Sequence, residues 1–165
     1  MEFFDYAKFL GMYWGEPSLQ PLVDALGVTK APKLAKGDAS VYLEFKKAGF
    51  FLIFKDERFV KIPGKVFPEG AMVLCHFRFY LASSAGYKTY AGKLPKSMNL
   101  DATKEGMLKA FGFPNDPKYL PSGKLAPDED DWMMRWDRTD HVLFCTFNDD
   151  GNATDIGLQL PLDQA

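Results

Sequence analysis

The stretch VLFCTFNDDGNATDIGLQL, residues 142–160, decides the fold class. Residues 142–147 and 156–160 have the composition of strands, and Asp-Asp-Gly-Asn at 149–152 predicts a tight hairpin between them. In the second strand, apolar residues at the even positions alternate with Gly157 and Gln159. This alternation is typical of a strand with one buried face and one solvent-exposed face. The stretch therefore predicts an antiparallel sheet that is covered on one side.

The same kinds of element occur in both halves of the chain. Apolar residues at helical spacing follow Ser18 and stop at Gly27, and a second short helix is expected from Asp101 to Gly112. In both halves a capped helix with a glycine stop is followed by a loop and then by strands. The further strands are predicted at 41–45, 49–54, 72–80 and 132–136, with a turn at 46–48.

This order of elements predicts a single α+β domain over residues 1–165. We expect two tandem half-repeats, at about 1–80 and 81–165, each made of a helix plus an antiparallel hairpin. The two half-repeats would share one antiparallel sheet, with the helices on one face. The other face of the sheet would then be free to bind a partner.

The composition is typical of a globular protein rather than of a disordered or membrane-spanning one. Of the 165 residues, 47% are hydrophobic and 25% are charged, and 15 Phe, 7 Tyr and 3 Trp can fill a core or an interface. The longest apolar stretches, 49–54 and 71–75, are far shorter than the roughly 20 residues of a membrane-spanning helix. Acidic residues near the N-terminus do not fit a secretion signal. We expect a cytoplasmic protein that binds no membrane.

Charge is unevenly distributed along the chain. The net charge is −2, but residues 126–165 carry ten acidic and two basic side chains, whereas residues 1–125 carry 18 basic and 12 acidic ones. A concentrated acidic surface speeds association with a basic protein and repels nucleic acid. The sequence has no basic stripe with interleaved aromatic residues and no phosphate-loop motif, so no nucleic acid or nucleotide partner is expected.

The acidic residues are densest just before the strand predicted at 132–136. A solvated loop, a partner-binding patch and a divalent-cation site are the possible interpretations, but the glycine and spacing of a calcium-binding loop are missing. Four consecutive acids repel one another, which a plain loop could avoid. We therefore predict a partner-binding site here, with no metal and no cofactor. Its residues are Asp128, Glu129, Asp130, Asp131, Arg135, Asp137 and Asp140.

The strand at 132–136 has two unlike faces. Trp132, Met134 and Trp136 share one face, and Arg135 and Asp137 lie on the other. Aromatic residues ringed by charge are typical of interface hot spots, but tryptophan in a core is the default interpretation. We interpret the tryptophan face as core.

Cysteines and histidines are the remaining candidates for chemistry. Cys75 and Cys145 lie 70 positions apart, and neither belongs to a cluster with the Cys/His spacing of a metal site, which excludes a disulfide scaffold and a zinc ribbon. Neighbours in a strand point to opposite faces, so His76 is not expected to activate Cys75. A pairing of Cys75 with His141 across the two halves stays open. The prediction is two reduced core thiols and no catalytic residues.

Four short motifs occur in a fixed order in the second half of the chain. They are Tyr90-Ala91-Gly92-Lys93-Leu94-Pro95, Phe111-Gly112-Phe113-Pro114, Trp136-Asp137-Arg138 and Asp149-Asp150-Gly151. These motifs resemble those of small bacterial immunity proteins that are encoded beside polymorphic or secretion-system toxins. In that family, Tyr-x-Gly-x-Leu-Pro precedes a helix ending in Leu-Gly-x-Pro, and Trp-Asp-Arg and an Asp-Asp-Gly hairpin follow. The resemblance covers most of residues 10–160.

The resemblance implies an immunity protein that binds and neutralises a cognate toxin by occluding its active site or substrate groove, and that is not an enzyme. The half-unit is also similar to the building block of the beta-lactamase inhibitor protein and of small outer-membrane assembly lipoproteins. Two other functions stay open. One is a small cytoplasmic enzyme that uses a Cys/His pair, and the other is an envelope-assembly-type binding module.

Overall fold

A computed structural model describes residues 1–95, 102–115 and 133–165 of the chain. None of the helices in this part of the chain is long and apolar enough to cross a membrane. The described strands are β1 (Ser40–Phe45), β2 (Phe50–Asp56), β3 (Met72–Tyr80), β4 (Met133–Asp137), β5 (Val142–Phe147) and β6 (Ala153–Gln159). The described helices are α1 (Gln20–Leu26), α2 (Lys104–Phe111) and the 3-10 helices Phe3–Phe9, Pro17–Leu19 and Glu57–Phe59.

The β5–β6 hairpin forms where the sequence predicts it. The two strands pair antiparallel, with Leu143 opposite Leu158. In the turn, the side-chain oxygen of Asn148 accepts hydrogen bonds from the backbone amides two and four residues further on, at 3.1 and 3.0 Å. Gly151 adopts a φ of +78°, a conformation that favours glycine. This turn chemistry explains why β6 begins at Ala153, earlier than the alternation alone predicts.

The six described strands lie in one antiparallel sheet, in the order β1-β2-β3-β6-β5-β4. The first three strands form one half of the sheet and the last three form the other, and the halves meet where β3 pairs with β6. The protein therefore has an α+β fold with one antiparallel sheet, which confirms this part of the sequence-based prediction.

Helix α1 begins later than the sequence predicts. Pro17 starts a 3-10 turn, so Ser18 lies inside that turn and does not cap a helix, and α1 begins at Gln20. Proline suits this first position because its fixed φ matches the helix and its missing N–H costs nothing there. Gly27 ends α1 with a φ of +64°, as its position after the last apolar residue predicts.

Helix α2 is capped by a threonine. The Thr103 hydroxyl accepts a hydrogen bond of 3.1 Å from the amide of Gly106. Asp101, the predicted first residue, lies outside the described residues. Gly112 ends the helix as predicted, and its carbonyl accepts a 2.9 Å hydrogen bond from the indole N–H of Trp136. This bond ties the end of α2 to β4.

The helices and one face of the sheet enclose the main hydrophobic core. Leu22 of α1 and Met107 of α2 are fully buried in it. Met134 and Trp136 of β4 belong to the same core, so the interpretation of their face as core is confirmed for these two residues. Trp132 lies outside the described residues.

A smaller apolar cluster covers one end of the opposite face of the sheet, which we call the second face. Residues 11–14 run beside β3 there, with Tyr13 bridged to Val73. The cluster does not extend to β1 or to the later part of β3. Its buried members are Val60, Val73, Cys75 and Leu160.

Candidate functional site

One residue from each strand lies in a single row across the second face. Successive members of the row are direct cross-strand partners, so the register of the sheet determines which side chains meet. Arg78 of β3 lies near the middle of the row. In strand order from β1 to β4, the row is Glu44, Phe51, Arg78, Gly157, Phe144 and Arg135.

A β-bulge in β3 places Cys75 on the same side of the sheet as His76. The register of β2 against β3 shifts between Ile53, which pairs with His76, and Phe54, which pairs with Leu74. Cys75 therefore has no partner on β2, and Cys75 and His76 line the same small cavity. The expectation that these two neighbours point to opposite faces is wrong, because it assumes a strand without a bulge.

Two aromatic rings and one carboxylate hold the Arg78 side chain. The guanidinium carbon lies 5.1 Å from the centre of the Phe144 ring and 5.9 Å from that of Phe51, within range of cation–π attraction. The Nε atom lies 3.2 Å from Oδ1 of Asp155, although neither atom makes an aligned hydrogen bond. The side chain of Arg78 is 30% exposed. Arg78 is therefore both held in place and accessible.

Gly157 makes room for the Phe144 ring. A Cβ atom at this position would lie 2.0 Å from Cζ of Phe144 and 2.6 Å from the carbonyl oxygen of Phe77. Both distances are far shorter than real contacts of a Cβ atom. The ring therefore packs over the backbone of β6, which requires a residue without a side chain.

Asp155 is a buried charge with several partners. The residue is 7% exposed. Its Oδ2 atom accepts a hydrogen bond from the hydroxyl of Thr146 and lies 3.1 Å from that of Thr154. A carboxylate removed from water is costly unless hydrogen bonds and an opposite charge compensate it. The two hydroxyls and Arg78 provide this compensation and place Asp155 beneath the arginine.

The His76 ring lies between the same two aromatic rings. It is nearly parallel to Phe51, with centroids 6.1 Å apart, and its centroid lies 4.9 Å from that of Phe144. Burial, followed by the nearby charge of Arg78, lowers the pKa of His76 to about 3. The imidazole is therefore neutral at physiological pH, so the positive charge of this cluster resides on Arg78.

A tight turn after β3 brings Tyr87 onto the same face. Ala85 has a φ of +50° and the following glycine a φ of +82°, and two backbone hydrogen bonds close the turn across residues 84–87. Tyr87 stacks on Tyr80 at 4.4 Å and donates a 2.6 Å hydrogen bond to Oε1 of Glu44. This hydrogen bond lowers the pKa of Glu44. The turn therefore forms a wall beside Arg78.

Side chains of β1, β2 and β3 on this face, together with the turn, line an open concavity of about 520 Å³, which we call the Arg78 groove. Among the described residues that line it, Arg78 is the one basic residue and Glu44 the one acidic residue, and the others are aromatic, apolar or neutral. The lining residues are Tyr42, Glu44, Phe51, Ile53, His76, Arg78, Tyr80, Ala85 and Tyr87.

The predicted partner-binding residues are described only in part. The four acids Asp128, Glu129, Asp130 and Asp131 lie outside the described residues. Arg135 and Asp137 come together on β4, where Nε of Arg135 donates a 3.0 Å hydrogen bond to Oδ1 of Asp137. Asp140 instead lies in the turn after β4, 2.7 Å from Nδ1 of His141. Of the three described residues, Arg135 and Asp137 therefore contact each other, whereas Asp140 contacts His141.

Burial disfavours the reactive thiolate form of both cysteines. Burial raises the pKa of Cys75 to about 12, and its Sγ donates to the carbonyl of Val73 at 3.3 Å. Burial also raises the pKa of Cys145. Cys75 packs in the small cluster of the second face, whereas the ring of His141 lies 6.1 Å from that of Phe4. Both thiols are unpaired, and the described residues contain no group of three or more metal-ligating side chains.

The Arg78 groove is not apparent from the sequence pattern alone. Two signals point toward it in retrospect. His76, Arg78 and Tyr80 alternate with phenylalanines, which indicates a polar face on a central strand. Gly157 in a strand interior indicates a close approach by another group. Neither signal reveals that Arg78 and Gly157 are neighbours, because the pairing of β3 with β6 is known only from the folded sheet.

No protein-family model, no curated protein and no solved structure matches this chain.

Proposed function

We propose that this protein is a cytoplasmic immunity protein, which binds a cognate bacterial toxin and neutralises it by occluding the toxin's active site or substrate groove. The observation that carries the proposal is the Arg78 groove, an open concavity lined by an arginine that lies against two aromatic rings. Arginine and aromatic side chains dominate the binding energy of protein interfaces. The four motifs that resemble immunity proteins supply the class of partner.

The proposed toxin interface combines the Arg78 groove with the acidic segment at 128–140. Arg135 lies in the same cross-strand row as Arg78, three strands away. At about 4.8 Å per strand this separation is about 14 Å, so both residues fit within one interface of standard size, about 800 Å² per partner. The groove would anchor the toxin, and the acids would steer a basic toxin surface towards it.

The two halves of the sheet are proposed to be tandem half-repeats, at about 1–80 and 81–165, with their helices on one face. The strand order supports this, because β1 to β3 and β4 to β6 each run inward from an edge of the sheet. Leu22 of α1 and Met107 of α2 also pack into the same core. In such an arrangement the helices leave the second face for the partner.

The alternative function of an enzyme with a Cys/His pair has weaker support, because the pKa values of both buried thiols are raised. A double variant, Cys75→Ser with Cys145→Ser, separates the two functions. An immunity protein keeps its protective activity apart from any loss of folding stability, whereas a thiol enzyme loses its activity while still folded. An envelope-assembly module would bind a different partner and would not protect a host from the neighbouring gene product, which the next experiment tests.

The proposal is tested with the product of the neighbouring gene. We expect this product to kill a bacterial host when expressed alone and to be tolerated when this protein is coexpressed. Purified, the two proteins should form a complex that calorimetry detects. A folded protein that neither binds the neighbouring product nor protects the host would contradict the proposal.

A further inference from the structure

We propose that Arg78 selects the toxin by binding a carboxylate, the side chain of a toxin Asp or Glu, through both of its Nη nitrogens. The inference rests on the proposed function, because it names the chemistry by which the Arg78 groove recognises that partner. It makes Arg78 the specificity-determining residue of the groove.

The donors available for this contact are the two Nη nitrogens. The Nε atom faces Asp155 at 3.2 Å, and within the described residues Asp155 is the one carboxylate paired with Arg78. The Nη nitrogens carry four of the five N–H donors of a guanidinium. Together they form the planar fork that matches the two oxygens of a carboxylate. Because Arg78 lines the groove, a carboxylate entering from solvent can meet this fork.

The guanidinium is held in its position before the partner arrives. The rings of Phe144 and Phe51 lie on it at 5.1 and 5.9 Å, and the absence of a side chain at Gly157 lets the Phe144 ring take its place. A long side chain usually loses conformational freedom when it joins an interface, and this loss opposes binding. Arg78 has already lost much of that freedom in the folded protein, so binding through it is more favourable.

Within the described part of the chain, the two carboxylates near the groove, Asp155 and Glu44, are engaged elsewhere. Oδ2 of Asp155 is bonded to threonine hydroxyls of β5 and β6. Glu44 accepts the hydrogen bond of Tyr87, and Nζ of Lys46 lies 3.6 Å from its other oxygen. Neither carboxylate needs the Nη fork, so the fork remains for a partner.

A singly charged carboxylate fits the groove better than a phosphate. Of the described lining residues, Arg78 is the one that is basic. Glu44 at the wall of the groove and Asp155 next to the Arg78 guanidinium would repel a second negative charge. Nucleic acid binding also needs several cations along a phosphate backbone. The exposed Tyr42 and the partly exposed Tyr80 provide aromatic surface beside the arginine. We therefore expect the toxin's acid to be flanked by apolar residues.

The first experiment measures binding of the neighbouring gene product by calorimetry. Arg78→Gln, which removes the charge, should raise Kd about 30-fold or more, as truncation of an interface hot spot does. Arg78→Lys should recover only part of this loss, because it keeps the charge without the fork. The matched control is Arg58→Gln. Arg58 also pairs with a buried aspartate, Asp56, but outside the groove, so this variant should bind as the wild type does.

The second experiment is a charge exchange. Arg78→Glu is combined with toxin variants in which each Asp or Glu is replaced singly by Lys, and one such variant should restore binding at least about tenfold relative to Arg78→Glu with the unchanged toxin. Wild-type binding by Arg78→Gln, or no restoring toxin variant, would overturn the inference and leave the proposed function standing. If the wild-type proteins do not bind each other, the proposed function is wrong and the inference fails with it.

Discussion

Replacing Gly157 by alanine tests the packing that holds Arg78, because it adds one methyl group at a crowded point. The new Cβ atom would lie 2.0 and 2.4 Å from two carbons of the Phe144 ring and 2.6 Å from the carbonyl oxygen of Phe77. The ring and the strand must both shift to reach ordinary contact distances. Gly157 has no positive φ, so the effect is steric and does not come from backbone strain.

Overpacking of this kind costs about 1–3 kcal/mol of folding free energy. For a chain of this length each kcal/mol corresponds to about 2–4 °C in Tm, so we expect Gly157→Ala to melt about 2–12 °C below the wild type. Displacing the Phe144 ring also removes a neighbour of Arg78. Toxin binding should therefore weaken even at temperatures where the variant is fully folded.

The assay is thermal and urea unfolding of Gly157→Ala, of Phe144→Leu and of the double variant. Leucine removes the ring carbons that the new methyl group would meet. The double variant should consequently be more stable than the sum of the two single effects, by about 1 kcal/mol. The contact with the Phe77 carbonyl remains, so recovery should be incomplete. A Tm for Gly157→Ala within about 1 °C of the wild type, with additive effects in the double variant, would refute the packing described for Phe144.

Three further predictions concern the groove and the acidic segment. His76 has a folded pKa of about 3, below its ordinary 6.5, so the unfolded chain takes up its proton first and His76 lowers stability as the pH falls from about 6.5 to 3. His76→Gln should lose this part of the acid sensitivity in urea unfolding at a series of pH values, and an unchanged pH slope would count against a buried neutral imidazole. Ala85→Gly should raise the free energy of unfolding by up to about 1 kcal/mol, because alanine at a φ of +50° is strained; a clear loss of stability in chemical unfolding would contradict this. Replacing Asp128, Glu129, Asp130 and Asp131 by Ser should slow toxin association and flatten its salt dependence in stopped-flow measurements, with Tm nearly unchanged. An unchanged association rate would place the acids outside the interface.

Elements with local signals could be predicted from the sequence. The β5–β6 hairpin follows from turn residues whose side chains and φ angles act within a few positions, as Asn148 and Gly151 show. The ends of both α-helices follow from Gly27 and Gly112 for the same reason. The helix starts differ from the predicted ones by a few residues, because Pro17 and Thr103 impose their own geometry. Several strands also begin or end a few residues from the predicted positions.

The Arg78 groove could not be predicted in the same way. Its lining residues come from β1, β2, β3 and the turn at 84–87, and the residues that hold Arg78 come from β5 and β6. These parts can be brought together only when the strand order and every register are known. The bulge at Cys75 adds a further obstacle, since simple alternation assigns His76 to the wrong side relative to its neighbour. The partner-binding site is instead predicted at residues 128–140, because a run of like charges can be recognised in the sequence without knowing the fold.

The claim that the toxin covers the Arg78 groove is tested most directly by hydroxyl-radical footprinting of the protein alone and in complex with the neighbouring gene product. Tyr42 at the groove is 55% exposed, and Phe4, whose ring contacts that of Phe111 at the end of α2, is 42% exposed. Both rings should be oxidised in the free protein. In the complex we expect oxidation of Tyr42 to fall severalfold and that of Phe4 to stay unchanged. Protection of Phe4 with Tyr42 still oxidised would contradict the account, because it would place the toxin on the helical side of the sheet.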